Sequence, residues 1–401
     1  MSGAPQQQGE DALRLAVVGV SPSRTCGVRD HARVLSEALV GHGVLPTWHW
    51  LGREASTPLG ARAEVSAWAS ALPGQLQEES AEAILFHYSV FSYGYRGFPL
   101  FVRPVLRELR RSGLPVVTVL HEFVYPWRRG GLRGKAWALS QAAALRGVMR
   151  SSAAVLVTAP VRAEWLAARR WLPARTVRLA PVFSNLPAPS DGAAAGTGGP
   201  PAVGLFGYGY EGAAIAIALD AMRLLDDRGT APRLRLLGAP GAGSPAGERW
   251  LAGARERGIE GTLSFSGVLP AQDLADELAA CDVLLHLEPS GPTSRKGTLA
   301  ASLASGTAVV AIDGPRRWPE LSAAGAALTV APTPSGLADG IAMLLEDATH
   351  RRQLGERGAA FAGSAMGVER SALATTALLR ALTGVATRLP RPAAQPVAPS
   401  R

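Results

Sequence analysis

The sequence is poor in cysteine and in long apolar runs. Its 401 residues include two cysteines, Cys26 and Cys281, which are too few for a disulfide framework or a zinc cage. No apolar run approaches the roughly 18 residues that a transmembrane helix needs. The first residues, MSGAPQQQGEDA, lack the apolar core of a signal peptide. These absences predict a protein of the reducing cytoplasm.

Motifs for metal binding and nucleophilic catalysis are also missing. No D-x-D triplet is present, so a metal-bridged diphosphate would lack obvious carboxylate ligands. Neither a G-x-S-x-G pattern nor a P-loop occurs. The sequence therefore predicts neither a bound metal nor a cofactor.

The excess of positive charge lies in the first half of the chain. Residues 1–190 contain 22 Arg or Lys against 12 Asp or Glu, whereas residues 191–401 contain 19 against 20. This asymmetry predicts an anionic partner for the first half. Two neighbouring segments there, which also hold Trp127 and Trp137, contain Arg103, Arg107, Arg110, Arg111, Arg128, Arg129, Arg133 and Lys135.

A basic surface with tryptophans is typical of binding to an anionic membrane, because such rings suit the interface and each basic residue adds about 1 kcal/mol. We therefore expect association with the inner face of a membrane. Nucleic acid is the alternative anionic partner, but the aromatic residues are few and no known nucleic-acid-binding motif occurs.

Short apolar runs of strand length alternate with helical patterns along the chain. The first example is the strand at 13–20, the loop at 21–27 and the helix at 28–40. This alternation is typical of a parallel, doubly wound α/β sheet, whose ligands lie beyond the carboxyl ends of the strands. The other predicted strands are 84–88, 116–120, 154–157, 177–180, 202–207, 233–237, 263–266, 283–287, 308–312 and 327–330. Further helices are predicted near 100–112, 134–150, 160–171, 335–347, 349–362 and 368–384.

A segment rich in Pro, Gly and Ala divides these elements into two series. Residues 186–201 (LPAPSDGAAAGTGGPP) carry a single charge, which is typical of a linker between domains. We therefore predict two Rossmann-like lobes that face a cleft. The predicted boundaries are a disordered N-terminus at 1–12, an N-terminal lobe at 13–185, a C-terminal lobe at 202–367, a closing helix at 368–386 and a disordered tail at 387–401.

The segment from Cys281 to Gly314 contains the strongest candidate site. It predicts a strand, a turn-rich loop, a helix capped by Ser294 with Arg295 and Lys296 in its first turn, and a second strand. A helix start favours an anion, whereas two cations there oppose the helix dipole. Of the 41 basic residues in the chain, two are lysines, so a lysine at this helix start departs from the strong preference of the sequence for arginine. The pair therefore indicates a phosphate or diphosphate site; a solvated pair is the alternative.

A glycine-rich turn opens the second series of elements. Residues 207–212 (GYGYEG) follow a predicted strand and match G-x-G-x-x-G. The dinucleotide form of this motif needs an acid about 20 residues later, but the next strand ends in Gly238-Ala-Pro-Gly. Nicotinamide binding is therefore disfavoured. Gly207, Tyr208 and Gly209 still let a diphosphate approach the backbone opposite the two cations, and a simple tight turn is the alternative.

Histidines stand at the carboxyl ends of two predicted strands. His121 and Glu122 follow the strand at 116–120, and His87 and Tyr88 end the strand at 84–88. An imidazole at this edge of a parallel sheet can reach a reacting hydroxyl group. We therefore predict that His121 is catalytic and that the other three residues line the same cleft. A capping pair at the surface is the alternative for His121 and Glu122.

Other polar residues give weaker signals. Asp30, beside His31 at the start of the first helix, is interpreted as a partner of the helix dipole. The isolated histidines His42, His49 and His286 are interpreted as structural.

With these features the chain resembles the GT-B glycosyltransferases over residues 13–385, most closely family 4, the group of glycogen synthase and mannosyltransferases. Residues 282–312 are similar to the donor-binding strand, loop and helix of that family, and the run from Leu303 to Val310 (LASGTAVV) is similar to its "MA-x-G-x-PVV" sequence. The turn at 206–212 resembles the first phosphate loop of the donor lobe. The resemblance implies a donor site at the start of the predicted helix.

The first half contributes two further similarities. Cys26-Gly27-Val28 resembles the glycine loop of the acceptor lobe, and His121 matches the histidine that the family places beside the transferred sugar. The resemblance therefore implies an acceptor site formed by Cys26, Gly27, His87, Tyr88 and Glu122.

Two departures from the family pattern stand out. The E-x7-E glutamates would fall at Thr293 and Ala301, so both are absent, and the second normally holds the ribose. The lysine that usually follows the first strand of the donor lobe is missing from residues 208–214. Arg295 and Lys296 are the expected replacements.

The resemblance implies transfer of a sugar from a UDP-, GDP- or other nucleotide-activated sugar to an acceptor hydroxyl, with retention of configuration. The nucleotide sugar is then a substrate, and the acceptor is lipid-linked or a saccharide. A catalytically inactive binding or scaffold protein and a nucleotide-sugar epimerase are the alternatives. Base, sugar, acceptor, linkage and oligomeric state stay open. The expected donor residues are Gly207, Tyr208, Gly209, Ser294, Arg295, Lys296, Gly297 and Thr298.

Overall fold

The computed structural model describes residues 12–23, 26–127, 130–193 and 199–384. Backbone contacts divide the chain into two compact units. The first contains the residues up to Ala180 and those from Ser371 onward, and the second is Pro181–Arg370. The last helix thus belongs largely to the first unit, where the Arg380 guanidinium donates a hydrogen bond to the carbonyl oxygen of His42 (2.8 Å).

The first unit is built on a six-stranded parallel sheet in the order β2-β1-β3-β4-β5-β6. Helices connect the strands, as a parallel sheet requires. Its elements are β1 (Leu13–Ser21), α1 (Gly27–Val40), β2 (Val44–Gly52), α2 (Pro58–Glu78), β3 (Ala83–Tyr88), α3 (Val102–Arg111), β4 (Val116–Leu120), α4 (Gly131–Ser151), β5 (Ala154–Val157), α5 (Pro160–Ala167) and β6 (Thr176–Leu179).

Strand β2 and helix α2 escape the sequence prediction. β2 lies at the edge of the sheet, contains Pro46 and buries only Val44 and His49, so it shows no continuous apolar run. α2 contains Gly60, Pro73 and Gly74, which weaken a helical pattern. Tertiary packing decides its helical state, because one face is buried through Ala61, Val65, Ala69, Leu72 and Leu76.

The second unit repeats the plan with a six-stranded parallel sheet in the order β12-β11-β10-β7-β8-β9. The predicted fold class, two Rossmann-like parallel α/β units, is confirmed. The elements are β7 (Ala202–Phe206), α6 (Gly212–Asp227), β8 (Arg233–Leu237), α7 (Pro245–Glu256), β9 (Leu263–Gly267), α8 (Ala271–Ala279), β10 (Val283–His286), α9 (Gly297–Ala304), β11 (Ala308–Ile312), α10 (Pro319–Ala323), β12 (Leu328–Val330), α11 (Pro334–Glu346), α12 (Ala348–Ala365) and α13 (Val368–Thr383).

The central strands are buried along their whole length. Every residue of β3, β4, β10 and β11 is buried, because helices cover both faces of each sheet. Polar side chains therefore gather where these strands end and loops begin. Within the described ranges, no helix combines the length and the apolarity needed to cross a membrane.

Several predictions concern residues outside the described ranges: residues 1–11, 24–25, 128–129, 194–198 and 385–401. The predicted disordered termini lie mostly there, as do Arg128 and Arg129 of the basic segments. Within the predicted linker, the backbone N–H and the hydroxyl of Ser190 both donate hydrogen bonds to the Asp276 carboxylate (2.7 and 2.9 Å).

Candidate functional site

Helix α9 begins later than the sequence predicts. Its first residue is Gly297 and its N-cap is Lys296, whereas Ser294 is buried in the loop before it. Backbone hydrogen bonds join the first part of that loop to the segment after β11: Arg316 donates its N–H to the Ser290 carbonyl oxygen (2.8 Å). A second bond joins the Trp318 N–H to the Pro292 carbonyl oxygen (2.9 Å). The expected Ser294 cap is wrong, because Ser294 and Arg295 form a turn and Lys296 is the residue that precedes the helix.

No side chain caps α9 in the described structure. The N–H groups of its first turn, contributed by Gly297 and Thr298, therefore lack a side-chain acceptor. Such a helix start is suited to an anion. Arg295 and Lys296 stand immediately before the helix, where the sequence predicts an anion site.

The glycine turn after β7 touches this helix start. Gly207 has a φ of +71°, and a Cβ atom built there would lie 2.8 Å from Cγ2 of Thr298. The contact follows from the sheet, since β7 and β10 are paired neighbours. Gly209 is exposed and has open space around its Cα. The structure thus brings together the turn and the helix start that the sequence placed opposite each other.

The two tyrosines of this turn have different environments. Tyr208 is fully buried: its hydroxyl accepts a hydrogen bond from the Gly241 N–H (2.6 Å), and its carbonyl oxygen accepts one from the Trp250 indole (2.9 Å). Its side chain therefore packs in the core, and its backbone remains at the turn. Burial raises the pKa of Tyr210 to about 12, with the Glu288 charge adding to the effect and the Leu287 backbone opposing it.

Lys296 is paired with a carboxylate that the sequence did not single out. Its Nζ lies 2.7 Å from Oε2 of Glu288, which follows β10 and is 19% exposed. Burial by itself would raise the pKa of Glu288, but the hydrogen bond and charge of Lys296 outweigh it and lower the pKa. Arg295 forms no ion pair or hydrogen bond with any described residue. Arg295 is therefore available to bind an anion, whereas Lys296 is already paired with Glu288.

Two buried polar atoms lie close to this pair in the sequence and lack hydrogen bonds among the described residues. They are Nε2 of His286, the last residue of β10, and Oγ1 of Thr293. Burial lowers the pKa of His286 to about 4, and the nearby Lys296 charge lowers it further, against the Glu288 charge. His286 is therefore neutral at neutral pH and belongs to the strand end that carries the site.

The first unit gathers three histidines at its own strand ends. Nδ1 of His87 lies 3.1 Å from Nε2 of His121, and the two rings are within 24° of parallel. His31 of α1 meets His121 edge-on, with ring centroids 5.1 Å apart. The sequence treated His31 as incidental, but α1 starts where β1 ends and β1 pairs with β3. The pairing of β1 with β3 therefore brings the start of α1 close to His87, and His31 could have been predicted from it.

The three imidazoles are neutral at neutral pH. Burial lowers the pKa of His31 to about 4 and holds the pKa of His87 well below its ordinary value, with the His31 charge adding to the effect on His87. Burial also lowers the pKa of His121, and His31, His87 and Arg162 contribute in that order. The cluster therefore offers hydrogen-bonding nitrogens and no positive charge.

A buried arginine of α5 holds the turn that carries His121. Arg162 donates hydrogen bonds to the carbonyl oxygens of His121 and, at 3.3 Å, of Leu120. Its second terminal nitrogen donates to Oε1 of Glu122 (2.8 Å). The Glu122 carboxylate, predicted to line the site, is thus tied to Arg162. The sequence did not indicate Arg162, because 40 residues separate it from Glu122.

The remaining predicted residues of the first unit stand at the carboxyl end of β3 and at the start of α1. Tyr88 points to the opposite face of β3 from His87, its buried hydroxyl has no hydrogen-bond partner among the described residues, and burial raises its pKa. Cys26 is buried and is the N-cap of α1, and Gly27 is the first residue of that helix. Within the described ranges, no group of three or more His, Cys, Asp or Glu side chains could hold a metal ion.

Comparison with known proteins places these features in context. Residues 200–347 match the family described as Glycosyl transferases group 1, and this range contains β7, the glycine turn and all of α9. No curated protein sequence matches the chain significantly.

Solved structures resemble the chain over most of its length. Sucrose-phosphate synthase from Thermosynechococcus elongatus is 18% identical with a TM-score of 0.69, covering 93% of this chain and all of that one. Anabaena HepE, solved with UDP and glucose, is 14% identical with a TM-score of 0.66, covering 92% and 100%. A candidate UDP-N-acetylglucosamine 2-epimerase from Listeria monocytogenes is 12% identical with a TM-score of 0.62, covering 94% and 98%. Because these identities are low, the likenesses establish the fold alone, which is the GT-B fold.

Proposed function

We propose that the protein is a glycosyltransferase, a divergent relative of family 4, that moves a sugar from a nucleotide diphospho-sugar to an acceptor hydroxyl. The observation that carries this proposal is the uncapped start of α9, preceded by the cations Arg295 and Lys296 and in contact with the Gly207 turn. The family match over residues 200–347 supports it, since it spans this whole site. HepE, which was solved with UDP and glucose, supports a nucleotide-sugar donor.

In this proposal the donor diphosphate binds against the start of α9. The backbone N–H groups of Gly297 and Thr298 face the anion, and the absence of a Cβ at Gly207 and Gly209 leaves room for it. Arg295 supplies positive charge directly. These groups stabilise the negative charge that develops on the leaving diphosphate, which is the work a metal ion does in other transferases.

Lys296 has to change partner for this chemistry. Its ammonium is paired with Glu288, and a diphosphate at the helix start competes for it. With Glu288 left half-buried, that exchange costs part of the binding free energy. We propose that Arg295 binds first and that Lys296 joins as the diphosphate gains charge in the transition state.

The first unit contributes His121 to the transfer step in this proposal. Its neutral ring can hydrogen-bond to a sugar or acceptor hydroxyl, and Arg162 holds the backbone that carries it. Retention of configuration, typical of the family that the chain resembles, is part of the proposal.

We propose an anionic, membrane-bound acceptor for the first unit, with the protein on the cytoplasmic face. Part of the predicted basic set is engaged: Arg107 and Arg111 bind the buried carboxylate of Glu108. Arg133 stacks on Trp137 at 4.7 Å. The predicted basic surface is therefore smaller than the sequence count suggests.

The outer face of α4 adds exposed apolar side chains beside further arginines. Leu132 is 85% exposed and Leu139 is 61% exposed, seven residues apart on one helical face that continues through Arg146 and Arg150. Trp127, just before the helix, is 52% exposed. Exposed apolar groups beside basic ones are typical of helices that lie in a membrane interface.

Sedimentation with vesicles tests this membrane association. We expect the protein to sediment with anionic vesicles at low salt, and less so at high salt or with neutral vesicles. The double variant Leu132→Ser/Leu139→Ser should bind more weakly, whereas Leu59→Ser, at an equally exposed site of α2, should not. Protein that stays in the supernatant with anionic vesicles at low salt would indicate a soluble acceptor.

Incubation with a panel of nucleotide sugars, followed by product analysis, tests the proposed activity. A glycosyltransferase releases a nucleoside diphosphate and transfers or hydrolyses the sugar, and we expect excess chelator to leave turnover unchanged. The rival reading, a nucleotide-sugar epimerase, is favoured by the Listeria likeness and would change the sugar while keeping the nucleotide attached. Thermal stabilisation by nucleotide sugars without any turnover would identify an inactive binding protein, as the missing glutamates allow.

A further inference from the structure

The contact between His87 and His121 restricts which ring nitrogens carry protons. Nδ1 of His87 and Nε2 of His121 lie 3.1 Å apart, so one of these nitrogens must carry a hydrogen and the other must accept it. His87 is fully buried in β3, so its ring has no solvent to exchange with. A proton on both nitrogens or on neither would leave two like groups facing each other.

Two arrangements of the pair are possible. In the first, His87 donates from Nδ1, which leaves its Nε2 as a bare lone pair and places the proton of His121 on Nδ1. In the second, His121 donates from Nε2, and the proton of His87 lies on its own Nε2. The two arrangements therefore differ at two atoms. Nε2 of His87 is either a buried lone pair or a buried N–H donor, and Nδ1 of His121 is either an N–H donor or a lone pair for a ligand.

The surroundings of His87 favour the first arrangement. Its Nε2 is buried and has no hydrogen-bond partner among the described residues. The first arrangement buries a lone pair there, whereas the second buries an N–H donor without an acceptor. Orphaned buried N–H donors are rarer in proteins than under-satisfied acceptors. Nδ1 of His121 makes no hydrogen bond to a described residue and is not one of the buried unpartnered atoms, so it can meet a ligand.

We propose that His87 is a positioning residue, which donates its Nδ1–H to Nε2 of His121 and so holds His121 as the tautomer protonated on Nδ1. His121 then presents a neutral N–H donor to a ligand oxygen, such as a sugar hydroxyl. It is not a general base, because its proton-accepting nitrogen is occupied by His87. The sugar as ligand rests on the proposed function, whereas the tautomer does not.

Two further contacts keep the ring from turning away. His31 packs edge-on against His121 at 88°, which blocks rotation of the ring toward α1. Arg162 holds the His121 carbonyl oxygen, which fixes the backbone from which the ring projects. These contacts hold the ring of His121 in place, while the unpartnered Nε2 of His87 decides between the two proton arrangements.

Nitrogen NMR of protein labelled with 15N-histidine measures the tautomer directly. Long-range proton–nitrogen spectra near pH 7.5 distinguish the Nδ1–H, Nε2–H and imidazolium forms of each ring, and loss of a signal in His121→Gln assigns His121. We expect the Nδ1–H form. A predominant Nε2–H form or an imidazolium would overturn the proposal.

Substitutions at His87 test its positioning role. His87→Leu removes the donor, so His121 should shift toward a tautomer mixture. His87→Asn keeps an amide donor near the position of Nδ1 and should preserve the Nδ1–H form. His49→Leu, which removes a histidine bonded to Glu79 in the same sheet, serves as the matched control and should not change His121. An unaltered His121 tautomer in His87→Leu would also overturn the proposal. If that variant does not fold, the wild-type and His87→Asn spectra decide.

Turnover gives a second readout if transferase activity is found. His87→Leu should lower turnover about tenfold without changing nucleotide diphosphate affinity, and His87→Asn should recover most of it. Equal loss in both variants would contradict the role of the donor. Absence of turnover in the wild-type protein with every nucleotide sugar would count against the proposed function, while the NMR result would still decide the tautomer.

Discussion

The two units share a six-stranded parallel sheet but place opposite kinds of polar group at the strand ends. The first unit gathers three neutral rings: His31 and His87 are buried, and His121 is half-buried beside them. The second places charges, Arg295 and the Lys296–Glu288 pair, before an uncapped helix. The comparison shows that a common fold sets where a site lies, whereas the residue types there decide what it can bind. The neutral site suits hydroxyl groups, and the charged site suits phosphates.

The largest effect should come from removing the cations of the second unit. Arg295→Ala/Lys296→Ala should weaken UDP and GDP binding by about 3 kcal/mol, because two charge-assisted hydrogen bonds are lost. Isothermal titration calorimetry measures this change. Unfolding temperature should change little, and Arg233→Ala, at the amino end of β8, should bind as the wild type does. Unaltered affinities for both nucleotides in the double variant would remove the site from this helix start.

Loss of the central ring of the first unit should affect turnover and not nucleotide binding. His121→Ala should lower turnover about 100-fold, the scale of a positioned polar or acid–base group. Steady-state kinetics and calorimetry separate the two effects, and circular dichroism checks the fold. His350→Ala, in α12, is the control. Normal turnover, or failure of the His121 variant to fold, would refute a role in transfer.

Acid should destabilise both units through their buried neutral histidines. His31 and His286 have folded pKa values of about 4, below the ordinary value of 6.5. The unfolded chain therefore binds protons first as the pH falls below 6.5, and stability declines down to about pH 4. At pH 5.5 each histidine should account for about 1 kcal/mol of this loss.

Urea unfolding at pH 7.5 and 5.5 measures this loss. The variants His31→Gln and His286→Gln should each lose about 1 kcal/mol less than the wild type between these pH values. Equal losses in wild type and variant would show that the replaced histidine titrates normally in the folded protein.

The smallest effect should come from neutralising Glu288. Its carboxylate holds Lys296 and adds negative charge beside the proposed diphosphate site. Glu288→Gln should therefore tighten UDP and GDP binding about threefold, in contrast to the loss in the cation variant. Weaker binding in Glu288→Gln would mean that Glu288 holds Lys296 in the position that binds the ligand.

Much of the fold could be predicted because buried parallel strands leave a clear trace. β5 and β11 are continuous apolar runs and β4 is interrupted only by Thr118; the predicted and observed bounds of all three strands match. β2 and α2 could not be found in this way, since an edge strand with Pro46 and a helix with Pro73 owe their conformation to their neighbours. The N-cap of α9 was misplaced because Ser294 and Arg295 form a turn before the helix, so that Lys296 takes the capping position.

The sequence by itself determined the order of most strands and helices, the strand ends at which His87 and His121 stand, the loop that carries Arg295 and Lys296, and the glycines that follow β7. These features are local, because apolar periodicity and turn residues act within a few positions. Tertiary structure alone decided the contacts: His31 against His121, Arg162 on the turn after β4, Glu288 on Lys296, and Tyr208 in the core. Charge, tautomer and hydrogen bonding depend on distances of about 3 Å between residues far apart in sequence, and only folding sets those distances.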